Sequence, residues 1–478
     1  MSIASRLLAG AAAASAAAVL ALSPSLAGAS TPIPIPTVAG PVASVAPGDP
    51  SRNYTFLATP LDLAARGYVE EEYFISGTAC RYLIAAAAPG QPSGNAVVRD
   101  CGWPYQTRIV VRRPASAAAF NGTVIAEWQN VTAQYDVDHY WLESSAHLMR
   151  EGYAWVGISA QRAGIQPLTS PPGFSINTLK FWSPLRYGSL DVTGGGLVFD
   201  DGLRFDIFSQ AVKVLRAPVD VDPLGPLNPE VVIAAGTSQS GSNLATYHNS
   251  IAPLYERVVD AYFIGESRGP LRTDLPVPVL RVLSEVDVAP SFAPPDALNY
   301  RHWEVAGSSH ADFGFINTIQ PLLIRDQVVQ ATPACTRNPL SRIPKRYVYH
   351  AAWDAMDGWV RAGVLPPVAP RIAYVATAMG PVIARDADGN ALGGIRLSEH
   401  HVPTAFNGAG NAGGLFCTLF GVHEPFSAER LAALYRNHGR YVSQVARVNA
   451  ANVAAGFLVP ADSGESTANA ARSGVGRK

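Results

Sequence analysis

The apolar run Val231-Val232-Ile233-Ala234-Ala235 passes without a spacer into Gly236-Thr237-Ser238-Gln239-Ser240-Gly241. A buried strand that turns sharply through small residues into a helix is the setting that presents a serine hydroxyl as a nucleophile. The residues two before and two after such a serine must be small to clear neighbouring backbone, and Gly236 and Ser240 meet that demand for Ser238. The pattern is G-x-S-x-S rather than G-x-S-x-G. Ser240, flanked by Ser238 and Ser242, is the competing nucleophile. Ser238 is preferred because Gly236 is free to take a positive φ at the tight position and Gly241 then opens the helix. A small-residue turn that only lets a helix pack closely on a strand is the plainer alternative.

A serine at its free pKa is a weak nucleophile, so it needs a base, and the base needs an orienting carboxylate. Downstream, Val279 to Leu283 is followed by Ser284-Glu285-Val286-Asp287, and Val305-Ala306-Gly307-Ser308-Ser309 by His310. Each group follows a strand, where ligands of open α/β sheets gather. Asp287 is expected as the acid and His310 as the base, with Glu285 the alternative acid if the strand ends differently. Acyl transfer also needs two N–H donors for an oxyanion. One is expected from Gln239 and the other from the loop Gln129 to Ala133, at Asn130 or Val131. Asn130-Val131-Thr132 also matches a glycosylation sequon. His139 reads as a surface-loop residue, while His248 falls on a helix and His302 inside a strand. His400-His401 lacks the spacing that puts two ligands on one helical face, so no metal and no cofactor are expected.

Positioning these groups requires alternating strands and helices. Thr107 to Arg112, Gly122 to Trp128, Tyr153 to Ser159, Glu230 to Ala235, Val258 to Ile264 and Val279 to Leu283 read as strands. Trp141 to Glu151, Phe205 to Leu215 and Ser240 to Asn249 read as helices. This alternation predicts an α/β fold with a mostly parallel central sheet flanked by helices. After about residue 325 the rhythm changes, with helical patterns at Val348 to Ala362 and Ala428 to Ala451 around an irregular stretch rich in Gly and Pro. The expected organisation is a core over 30–325, a C-terminal elaboration over 326–460 packed on it, and a disordered tail over 461–478.

The chain has 478 residues, 48% hydrophobic, with a formal net charge of −1. Without a basic block it lacks the phosphate-neutralising surface of a nucleic-acid binder, and its apolar content excludes a disordered chain. Residues 1–29 combine Arg6, the small apolar run Leu7 to Leu22 and Ala27-Gly28-Ala29, the pattern of a secretory signal peptide cleaved after Ala29. The protein is therefore expected to be secreted or periplasmic, with no membrane span once the signal is removed. In an oxidising compartment Cys80, Cys101, Cys335 and Cys417 are expected to form two disulfides, with sequential pairing favoured over the other connectivities and over buried free thiols.

The elbow, together with Glu127-Trp128-Gln129-Asn130-Val131-Thr132, Tyr187-Gly188-Ser189-Leu190, Asp206 to Ala211 and Trp303 to Asp312, resembles the α/β-hydrolase superfamily. More narrowly, it is similar to bacterial α/β-hydrolase-domain proteins with an S-Q-S-G nucleophile elbow. Gly393-Gly394-Ile395-Arg396-Leu397 and Leu419-Phe420-Gly421 resemble the C-terminal pattern of that family, so the likeness spans most of the mature chain. The chain departs from the family's V-S-G-G loop with Val131-Thr132-Ala133-Gln134. The resemblance implies the α/β-hydrolase fold and a serine hydrolase but names no substrate. A small-molecule carboxylic ester is the expected substrate. A peptidase or amidase of the same fold, or a non-catalytic binding module on a hydrolase scaffold, is the alternative.

Overall fold

A computed structural model describes residues 30–166, 176–289, 294–330, 334–414 and 416–477. The signal-peptide segment lies outside these residues. Nine strands make one sheet: β1 (Thr37–Ala39), β2 (Tyr68–Leu83), β3 (Val97–Pro114), β4 (Thr123–Trp128), β5 (Ala154–Ile158), β6 (Val231–Thr237), β7 (Ala261–Gly265), β8 (Val279–Ser284) and β9 (Tyr300–Val305). Their spatial order is β1-β2-β3-β5-β4-β6-β7-β8-β9. Strands β5, β4 and β6 to β9 run parallel, whereas β1, β2 and β3 form an antiparallel flank that joins β5.

The parallel strands are buried on both faces, so their alternate side chains enter two separate cores. In β6, Val232 and Ala234 point into one, and Val231, Ile233 and Ala235 into the other. Helix α1 (His139–Arg150) packs mainly on the second face, through Tyr140, Trp141 and Leu148. Helices α2 (Arg204–Arg216) and α3 (Ser238–Thr246) cover the first. Helices α4 (Phe313–Arg325) and α5 (Arg346–Ala362) follow. Although α5 lies in the segment assigned to an elaboration, its Tyr349, Trp353 and Met356 share a core with Ile125 of β4 and Ile233 of β6. Truncating a fully buried tryptophan such as Trp353 to alanine would cost about 3–5 kcal/mol.

Two sequence expectations change, and one ribbon of strands was not expected. Strand β2 and the first half of β3 were not legible as strands, because Glu70, Glu71 and Glu72 and the polar positions of β3 break the alternation. The two strands instead form a long ribbon, and the Cys80–Cys101 disulfide crosses it near its far end. The pattern over Ala428 to Ala451 divides into α6 (Ala428–Leu434) and α7 (His438–Ala454), with the Asn437 side chain accepting from the Arg440 N–H to cap the second. The tail expected to be disordered contains α8 (Pro460–Arg472). Its small polar sequence hides the reason: Asp462 pairs with His350 Nδ1 at 2.7 Å and Ser466 meets Ser398 at 3.0 Å, so polar contacts dock it.

Cys335 is joined to Cys417, completing the sequential pairing. No helix among the described residues is long and apolar enough to cross a membrane.

Candidate active site

Four neighbouring parallel strands deliver the site from their carboxyl ends. Ser238 follows β6, Glu266 follows β7, Asp287 lies three residues past β8 and His310 five past β9. The main-chain φ of Ser238 is +57°, a left-handed conformation that a residue with a Cβ adopts at a cost of roughly 1–2 kcal/mol. The strained conformation that an elbow serine is expected to take is thus present at Ser238, and the positive φ open to Gly236 is not used. Gly236 is required for another reason: a Cβ there would lie 2.8 Å from the Ser240 carbonyl oxygen. On the far side of the bend the close approach is at Gly241, where a Cβ would lie 2.8 Å from the Gly265 oxygen and 3.0 Å from the Gly236 oxygen.

Ser240 is fully buried. Its Oγ donates to Thr237 O at 2.9 Å and accepts from Thr237 N at 3.1 Å, so it caps α3 and does not face a substrate. Ser238 is partly exposed, and its Oγ has no hydrogen-bond partner among the described residues.

Asp287 and His310 are in direct contact. His310 Nδ1 lies 2.9 Å from Oδ2 and 3.1 Å from Oδ1 of Asp287, and Ser284 Oγ donates to Oδ2 at 2.5 Å. Burial pushes the Asp287 carboxyl up, but the imidazole facing it and these hydrogen bonds outweigh burial and hold it well below the ordinary carboxylate range. Glu285, the alternative acid, is turned away: its carboxylate accepts from Gly307 N at 2.6 Å and from Arg385 at 2.8 Å. The loop carrying His310 is held from several sides. Ala306 N donates to Ile395 O, Ala311 N to Leu419 O, and Ser341 Oγ to Gly307 O.

Of the expected oxyanion donors, the Asn130 N–H is engaged with Val137 O at 3.1 Å, and its side-chain amide donates to Thr237 O at 2.9 Å. Asn130 is buried, so it serves neither as a main-chain donor nor as an accessible sequon. The Val131 N–H points instead at Gln239 Oε1, 3.5 Å away. Gln239 Nε2 is anchored to Gln161 Oε1 at 2.9 Å, and Gln161 Oε1 also accepts from Trp128 and Asn243. A side-chain carbonyl thus occupies the direction in which a developing oxyanion would be received by Val131.

Several residues at the site carried no local sequence signal. Glu266 is buried and accepts from Lys345 Nζ at 2.8 Å, Tyr349 OH at 2.7 Å and Ser284 N at 2.8 Å. Glu266, Asp287 and His310 hold potential ligating atoms within 4.8 Å of one another, and Lys345 already brings a positive charge to that cluster. His139 is buried rather than on a surface loop, with its ring 4.5 Å from that of Phe315. Burial, with Lys345 and His310 nearby, holds its pKa well below the usual imidazole range. His139 Nε2 lies 3.6 Å from Glu143, whose carboxyl burial pushes up to about 8. An acidic residue directly after an apolar strand was the one available hint of Glu266; Lys345 arrives from a distant segment.

A family model described as alpha/beta hydrolase domain matches residues 35–468. No curated protein matches the chain. Similar solved structures include a putative acetyl xylan esterase from Bacteroides fragilis, 10% identical, with a TM-score of 0.25, over 46% of this chain and 61% of that one. The chain therefore spans less than two thirds of that esterase. An α/β serine hydrolase without lid from Xanthomonas campestris is 13% identical, with a TM-score of 0.25, over 53% of this chain and 97% of that one. A glucuronoyl esterase from Solibacter usitatus is 10% identical, with a TM-score of 0.24, over 50% of this chain and 78% of that one.

Proposed function

The chain belongs to the alpha/beta hydrolase domain family, and within it we propose a secreted serine hydrolase that cleaves a carboxylic ester through an acyl-enzyme. The observation that carries this reading is the Asp287–His310 couple at 2.9 Å, set at the same sheet edge as a serine with φ +57°. The Asp287 contact fixes Nδ1 as the protonated nitrogen and leaves Nε2 as the base.

When ester binds, the Ser238 hydroxyl and His310 Nε2 come within hydrogen-bond reach. Ser238 Oγ attacks the ester carbonyl carbon as its proton passes to Nε2. The carbonyl oxygen becomes an oxyanion received by the N–H groups of Gln239 and Val131, which requires the Gln239 amide to swing aside. Collapse breaks the bond to the alkoxy oxygen, which leaves as alcohol with the proton from Nε2. Water then attacks the acyl-enzyme by the same route, releasing the acid and restoring Ser238. Two disulfides and the signal-like segment 1–29 support export.

A fluorophosphonate probe tests the reading. The adduct is expected on Ser238, within residues 236–242, with loss of p-nitrophenyl ester hydrolysis in step with labelling. Active protein that labels elsewhere, or Ser238→Ala protein that retains its esterase rate, overturns it.

A further inference from the structure

Glu266 carries three features that a mere packing role does not require. It sits at φ +49°, a strained conformation for a side chain with a Cβ, directly after β7. Its carboxylate is wholly buried against the wholly buried ammonium of Lys345, 2.8 Å away. Both partners also reach the catalytic couple. The Ser284 N–H binds Glu266 Oε2 at 2.8 Å while Ser284 Oγ binds Asp287 Oδ2 at 2.5 Å, so one serine ties the two carboxylates together. Lys345 Nζ, besides Glu266, donates to His310 O at 2.8 Å and Ser309 O at 3.2 Å, so all three of its protons are used and two of them hold the histidine loop.

We propose that Glu266 and Lys345 are a positioning pair that holds Asp287 and His310 in register and balances the charge around the imidazole. This rests on the reading of Ser238, Asp287 and His310 as a triad. A buried ion pair gives little net stability over well-packed apolar residues, so its presence behind a catalytic couple calls for another reason. The groups facing His310 and the pair are Asp287 beyond β8, Asp312 at the start of α4, His139 and Glu143 on α1, and Tyr349 on α5. Beside these groups, Lys345 is a cation held by direct hydrogen bonds to the main chain of the His310 loop. With Glu266 neutralised, the Lys345 charge acts on the imidazole with one counter-ion fewer and opposes imidazolium formation.

The test uses full-length mature protein, a soluble p-nitrophenyl ester, and kcat/KM against pH for wild type, Glu266→Gln, Glu266→Asp and Glu266→Gln/Lys345→Met. In Glu266→Gln the acid limb is expected to move to lower pH by about one unit. In the charge-neutral double variant it returns close to wild type while kcat stays at least about tenfold low, because the histidine loop has lost its tether. Glu266→Asp keeps the limb in place. An unmoved limb in folded Glu266→Gln, or a double variant with wild-type kcat, overturns the proposal. If Glu266→Gln does not fold, the double variant and Glu266→Asp decide it by the same criteria. Ser238→Ala is run alongside: retained turnover there means the triad reading has failed, whereas lost turnover with an unmoved limb in Glu266→Gln means only the positioning pair has failed.

Discussion

Replacing Ser238 by glycine should make the protein more stable than replacing it by alanine, while both substitutions are expected to abolish activity. The serine occupies φ +57° at the junction of β6 and α3. Alanine keeps the Cβ and therefore the steric penalty of roughly 1–2 kcal/mol that a left-handed conformation imposes. Glycine removes that penalty but gives the unfolded chain extra freedom, which offsets it by about 0.4–1 kcal/mol. The net difference is about 1 kcal/mol in favour of Ser238→Gly over Ser238→Ala, a factor of about five in the unfolding equilibrium. Comparing the two inactive variants cancels the loss of the hydroxyl, which makes no hydrogen bond among the described residues. Urea unfolding followed by tryptophan fluorescence reads the difference, with equal slopes required for the comparison. If Ser238→Gly is no more stable than Ser238→Ala, the backbone at the bend is not strained, and the elbow argument fails independently of any assay of turnover.

Gly241→Ala forces a Cβ to within 2.8 Å of Gly265 O and 3.0 Å of Gly236 O; a loss of about 2 kcal/mol or more is expected by urea titration, together with loss of fluorophosphonate labelling. Glu143 has its folded pKa raised to about 8 from 4.5, so its contribution favours folding most below about 4.5 and is lost as pH rises towards 8. Glu143→Gln should therefore flatten the decline of stability between about pH 5 and 8, and a calorimetric series parallel to wild type would count against it. Removing the Cys335–Cys417 bridge, which spans 82 residues, as Cys335→Ser/Cys417→Ser should cost about 3–4 kcal/mol. Because Leu419, two residues beyond Cys417, binds the His310 loop, kcat should fall in the same variant, and an unchanged kcat would separate the bridge from the site.

The parts of the candidate site read from sequence are those whose signal is local. Ser238, Asp287 and His310 each follow an apolar run that ends in the sheet, so the order of strands alone brings them to one edge. Glu266 and Lys345 are 79 residues apart and meet through tertiary packing that no spacing encodes. The same limit explains the fold. Strands β4 to β8 show as apolar segments because both faces are buried, whereas β2 carries three successive glutamates, and these pair with Arg108, Arg112 and Arg113 across the ribbon. Gly236 was expected to be able to take a positive φ, but the positive φ at the bend lies on Ser238, and Gly236 contributes only the absence of a Cβ. Small polar residues over 461–472 looked like a solvated tail because the docking contacts of Asp462 and Ser466 come from α5 and Ser398.

Both margins of the nine-stranded sheet are partly covered, which bears on how the protein behaves when concentrated. One margin ends in β1, only three residues long and followed at once by Gly40 and Pro41. At the other, beside β9, the Ile395 N–H donates to the Glu304 carbonyl and the Ile395 carbonyl accepts from the Ala306 N–H, so the end of β9 is bridged. The short β1 and the bridge at the end of β9 shorten the row of amide groups that either rim presents to a second molecule, which works against rim-to-rim polymerisation.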